Sequence, residues 1–150
     1  MAVRTIVTFP NPVLKQRCEA VTEFDGELHT LLDDMLETMD DAEGLGLAAN
    51  QIGLSLRIFT MSRPTGDDED SPVERFEIIN PEFVSKSGEI RFEEGCLSFP
   101  GIAELVSRAA KVQLRYRDRT GAEVVRDFEG VAAVCVQHEF DHLEGVTFLE

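Results

Sequence analysis

The chain has 150 residues, 43% of them hydrophobic, and 29 acidic against 14 basic side chains for a formal net charge of −15. That length and apolar content fit one globular domain over residues 1–150 with a proper core. The acidic surface repels phosphate backbones and anionic lipid, which argues against direct nucleic-acid contact and against membrane attachment through a basic patch. No stretch approaches the roughly 18 apolar residues of a membrane span. The opening MAVRTIVTFPNP is too soon broken by proline to serve as a secretory signal, so a cytoplasmic location is expected. Three cysteines, Cys18, Cys96 and Cys135, are too few and too scattered for a disulfide framework.

In chain order, VRTIVTF (3–9) reads as a short strand closed by Pro10 and Pro12. Leu28, Leu31, Leu32, Met35, Leu36 and Met39 fall on one helical stripe that Gly44 should end, and that stripe is core. After the glycine-rich GLGLAANQIG comes a strand, LRIFTM, and the polar segment Ser62 to Glu74 reads as a loop whose DDED run is a solvated tip. RFEIIN and GEIRFEE read as strands, and KVQLRYRD and AEVVRDFEG as a hairpin turning through RTG. VAAVCVQHEFDHL (131–143) reads as a helix between Gly130 and Gly145. Val131, Val134, Cys135, His138 and His142 form one stripe of it, with Val136, Phe140 and Leu143 on an adjoining face. A helix apolar over most of its circumference is buried. The expected fold class is therefore α+β: antiparallel β-sheets surrounding a central helix that carries both histidines, with the Leu/Met helix packed outside.

His138, Glu139, Phe140, Asp141 and His142 spell H-E-x-x-H. Histidines one turn apart on one helical face can grip one ion, and the glutamate beside the first can take a proton from water on that ion and pass it on. The competing interpretation is a pair of satisfied core histidines. Two imidazoles left unpartnered on an apolar face would be costly, which favours ligation. A catalytic site takes three protein ligands. His29 lies far away in sequence, and Cys135 would have to reach past His138. Cys96, in E-G-C-L-S with Gly95 permitting close backbone approach, is the better third ligand.

Three segments in order, G-L-G-L-A-A-N-Q (44–51), E-G-C-L-S (94–98) and Q-H-E-F-D-H (137–142), together with the opening TFPNPVLKQRCEAV, make the whole chain resemble the peptide deformylases. The resemblance implies an enzyme that removes the formyl group from the N-formylmethionine of nascent peptides. It implies one divalent ion on Cys96, His138 and His142, with Fe2+ the native metal and Zn2+, Ni2+ or Co2+ as substitutes. Glu139 would be general base and acid, and Gln51 with the Leu97 N–H would hold the formyl oxygen as it gains charge. A tight substrate site is expected from Leu45, Gly46, Phe92, Gly95, Val131, Val134 and Cys135, and Arg108 is expected to pair with Glu94 or Asp141. A monomer working near ribosomes would suit that task. Where most relatives carry Pro, this chain has Asn50. No cation follows the second motif before Arg108, and Glu150 stands eight residues after His142, as in short, phage-encoded members. Two rivals remain. A zinc peptidase of the H-E-x-x-H type would draw its third ligand from downstream, where little chain is left. An inactive metal-binding relative would be expected to lose the glutamate.

Overall fold

The computed structural model describes residues 3–7, 12–15, 17–42, 46–64, 73–96 and 99–145, and leaves aside the side chains of 13, 15, 64, 73, 92–96 and 99–106. Helix α1 spans Gly26–Asp41. Asp25 caps it by accepting the Leu28 N–H at 3.1 Å, which satisfies one of the donors that every helix start leaves open. Leu28, Leu31, Leu32, Met35 and Met39 are buried, as their spacing predicts. The helix stops earlier than expected: Ala42 already closes it, with its N–H on the Thr38 carbonyl at 3.0 Å. Gly44 lies outside the described residues.

Five strands form an antiparallel sheet in the order β1 (Gly46–Ala48), β2 (Ile58–Pro64), β3 (Val73–Ser87), β6 (Lys111–Arg117), β7 (Glu123–Glu129). Among the described residues, strands β4 (Ile90–Cys96) and β5 (Phe99–Arg108) pair only with each other. Helix α2, Val131–Leu143, closes the described chain. β3 is long because its first half pairs with β2 and its second half with β6, with register shifts after Ile79 and Phe83. At its bend Asn80 takes a φ of 51°, which asparagine tolerates better than most residues. Its side-chain amide there clasps both main-chain groups of Val21, at 2.8 and 2.9 Å.

Three expectations fail here. Residues 3–7 form no strand. Arg4 N–H bonds the Thr38 hydroxyl and Val7 N–H the Gln51 carbonyl, separate partners that offer no ladder. The polar loop shrinks, because Ser62, Arg63 and Pro64 pair with Arg75, Glu74 and Val73, and Arg63 and Glu74 also join as an ion pair at 2.5 Å. β5 occupies a stretch that the sequence left without a strand.

β2 shows how the core is divided. Ile58 belongs to the apolar cluster of α1, whereas Phe59 and Met61 belong to that of α2. Successive strand residues face opposite ways, so α1 and α2 cover opposite faces of the sheet. Thr60, on the α1 side, sets its hydroxyl 3.6 Å from the Met39 sulfur. Fully burying a side chain such as Leu32, Met35 or Phe59 contributes about 1.5–3 kcal/mol each; Leu32 and Met35 hold α1 to one face of the sheet, and Phe59 packs with α2 on the other.

Candidate metal centre

α2 begins after Gly130, whose φ of 61° and ψ of −132° suit only glycine. It ends with Gly145, at φ 76°, returning its N–H to the His142 carbonyl at 3.0 Å. Inside it, His142 is 1% exposed and His138 half-buried. Their Nε2 atoms converge to 3.3 Å, with the rings 76° apart in plane. Two nitrogens held at about 2.0–2.1 Å by one tetrahedral ion must lie about 3.3–3.4 Å apart. The pair therefore already has the spacing an ion requires. Glu139 is 3% exposed, and its Oε1 lies 3.8 Å from His138 Nε2. One ligand atom from each of His138, Glu139 and His142 fits within 4.8 Å of the others. Two imidazoles with a buried carboxylate suit a divalent transition ion.

The first motif packs against this helix. A Cβ on Gly46 would meet Cys135 Sγ at 3.0 Å and Glu139 Cγ at 3.0 Å, so only glycine lets β1 approach so closely. A 3₁₀ turn, Ala49–Ile52, then buries Asn50 and Gln51. The Gln51 side-chain oxygen accepts the Ala48 N–H at 2.9 Å, which identifies its NH2 as the end able to donate elsewhere. Asn50 donates to the His142 carbonyl at 2.6 Å and so ties the first motif to the third. Sequence reading saw Asn50 only as a departure from the family pattern. An amide beside Gln51 inside the largely apolar run LAANQI was the available sign of a buried tether.

Arg108, with a side chain only 10% exposed, pairs with Asp141 at 2.5 Å, the second of its two expected partners. Gln137, to which the sequence assigned no role, accepts the Ala109 N–H at 3.0 Å and donates to the Ala109 carbonyl at 2.8 Å. Just beyond α2, burial pushes the Glu144 carboxyl up, but hydrogen bonds from Arg17 and Arg57 outweigh it and hold the group below its ordinary value.

Of the expected substrate residues, Val134 is buried and Cys135 half-buried beside Gly46. Val131 does not belong to the inward stripe: it is 49% exposed, standing first in the helix behind a glycine with no side chain to cover it. Cys96 ends β4 opposite Phe99, while Gly95 and Phe92 stand opposite Ala103 and Val106. The Cys96 and Phe92 side chains, with all of Leu45 and Leu97, lie outside the description.

An antiparallel α+β fold with H-E-x-x-H on a buried helix defines a metal-dependent hydrolase. The family model for polypeptide deformylase matches residues 3–150. A peptide deformylase of Wolinella succinogenes is 47% identical over 145 residues, covering 97% of this chain and 85% of the relative. The crystal structure of a peptide deformylase from Legionella pneumophila superposes with a TM-score of 0.90 at 45% identity, over 99% of this chain and 85% of that one. A class I type b peptide deformylase from Acinetobacter baumannii, solved with Met-Ala-Ser bound, gives a TM-score of 0.90 at 34% identity, over 99% of this chain and 97% of that one. The chain belongs to the polypeptide deformylase family.

Proposed function

We propose that this chain removes the formyl group from the N-terminal N-formylmethionine of newly made polypeptides, with His138, His142 and the Cys96 thiol holding one ion. The observation that carries the reading is the 3.3 Å spacing of the two imidazole nitrogens beside the buried Glu139. Iron in the ferrous state is the native ion in this reading, and zinc, nickel or cobalt substitute for it. When bound, the ion supplies a Lewis acid for water and for the formyl carbonyl.

The chain's own residues do the rest. Glu139 accepts the proton of the attacking water and returns it to the amine nitrogen as the carbon–nitrogen bond breaks, leaving formate and a free N-terminus. The Gln51 NH2 and the Leu97 N–H donate to the formyl oxygen as it gains charge. Val134, Cys135 and Gly46, with Leu45, Phe92 and Gly95, bound the methionine side chain. The Acinetobacter relative bears on substrate, because Met-Ala-Ser begins with the residue that deformylation would expose. No described helix is long and apolar enough to cross a membrane, and nascent chains place the reaction in the cytoplasm.

The test compares formyl-Met-Ala, acetyl-Met-Ala and a longer unmodified peptide under identical metal loading. Only the formyl compound should be cleaved well, since a formyl carbon bears hydrogen where acetyl bears a methyl. Preference for Met over Leu or norleucine should be graded, because a methylene in such a pocket is worth about 1–3 kcal/mol. Equal cleavage of the acetyl compound, or a cut inside the longer peptide, would overturn the reading in favour of a peptidase.

A further inference from the structure

Three consecutive residues, the last of β5 and the two that lead into β6, are each bonded to α2 or its entry. Arg108 holds Asp141 at 2.5 Å. Ala109 gives both main-chain groups to Gln137, at 3.0 and 2.8 Å. The Ala110 carbonyl accepts the Gly130 N–H at 2.9 Å. Gln137 also donates to the Ala133 carbonyl at 3.0 Å, one turn back in its own helix. It is buried, and its amide finds acceptors and a donor that are all main chain.

Gln137 and Asp141 are one turn apart and so share a face. Each immediately precedes a histidine of the ligand pair, about 100° further around the helix. We propose that Gln137 is a positioning residue which, with the Arg108–Asp141 pair, locks the rotation of α2 about its axis and so fixes where the point shared by His138 and His142 lies relative to the end of β4, the strand that carries Cys96. This rests on the reading that those histidines hold the ion.

The lever arm makes rotation costly. Side-chain ends lie roughly 5–6 Å from a helix axis, so a 10° turn moves a ligating nitrogen by about 1 Å. Metal–ligand distances tolerate about 0.2 Å. Apolar burial around α2 is non-directional, and Ala132 and Ala133 offer it only small side chains. Two oppositely directed hydrogen bonds from one amide to one peptide unit are directional, and they resist such a turn. Asn50, bonded to the His142 carbonyl at 2.6 Å, holds the same helix from the first motif.

The experiment uses Gln137→Met, which keeps the side-chain length and removes all three hydrogen bonds, with Thr38→Val as a control that deletes buried hydrogen bonds on α1 across the sheet. Cobalt-loaded proteins are challenged with a chelator, and metal release and the visible cobalt spectrum are followed. Release should be about ten- to a hundredfold faster in Q137M, in the range found when a group orienting a ligand is lost, and its cobalt bands should shift. T38V should lose thermal stability but release metal at the wild-type rate. A folded Q137M that releases metal within twofold of wild type, with unshifted bands, overturns the clamp alone. A wild-type chain that takes up no cobalt, or takes it up equally after His142→Ala, overturns the metal reading instead. Should Q137M fail to fold, amide exchange in the wild-type protein decides. The Ala109 N–H should be equally protected with and without metal, and protection appearing only on loading would show that the ion organises the helix.

Discussion

The main chain of Gly46 lies so close to Glu139 that a Cβ there would come within 3.0 Å of the Glu139 Cγ. Gly46→Ala should therefore push the carboxylate by a few tenths of an ångström and leave β1 paired. Misplacing a catalytic group by 1 Å can cost roughly a hundredfold, so a loss of about tenfold in kcat is expected. Turnover of formyl-Met-Ala and the melting temperature should be measured on one preparation. A large fall in melting temperature with normal turnover would mean that the contact is only packing.

Glu139→Gln keeps the volume of the side chain and removes proton transfer without removing a ligand. Metal content and fold should be retained while kcat falls by about 10²–10⁴, the usual range for a lost acid–base group. Near-normal turnover with full metal occupancy would assign the base to another residue.

Gln51→Leu should lower kcat by on the order of a hundredfold or more, as loss of one oxyanion donor does. It also strips the Ala48 N–H of its 2.9 Å acceptor, which costs about 1–3 kcal/mol of stability where the group is buried. A change confined to KM would make Gln51 a binding residue.

The pH dependence of stability has an alkaline arm with an identifiable source. Burial pushes the Cys18 thiol above its ordinary 9.0 and the Tyr116 hydroxyl above 10.0. Both are raised in the folded chain, so the unfolded chain deprotonates first. Their contribution is complete below pH 9.0 and is lost as pH rises through and beyond that value. In Cys18→Ala, the urea midpoint should fall less steeply than in wild type between pH 9 and 10. Parallel slopes would show that the thiol does not titrate differently in the two states. The acid arm has the opposite sign: the hydrogen bond from Arg63 holds Glu74 below its ordinary 4.5, so that contribution is lost as pH falls below this value.

The elements legible in the sequence are those that repeat. Leu28 to Met39 and Val131 to Leu143 mark two helices by period, and KVQLRYRD and AEVVRDFEG alternate around a glycine turn, as the β6–β7 register bears out. The H-E-x-x-H spacing alone brought His138 and His142 together. What escaped depends on partners that carry no signature. The β-branched VRTIVTF has strand composition, but its described part, residues 3–7, finds a threonine hydroxyl and a lone carbonyl instead of a neighbouring strand. Arg63 and Glu74 look like loop residues until the register sets them opposite each other. Gln137 and Asn50 act on main-chain groups of Ala109 and His142, and nothing in an alanine or in a carbonyl marks it as someone's partner.

The two apolar clusters on either side of the sheet share no residue, and the boundary between them runs through successive positions of β2. Any compound that grips α2 therefore lends its binding energy first to the openings that expose that face. Openings that free α1 alone break none of those contacts, and they proceed at much the same rate whether the opposite face is filled or bare. A tightly held inhibitor would thus leave the Leu/Met helix as the soft side of the molecule, the place where a protease still finds its first cut.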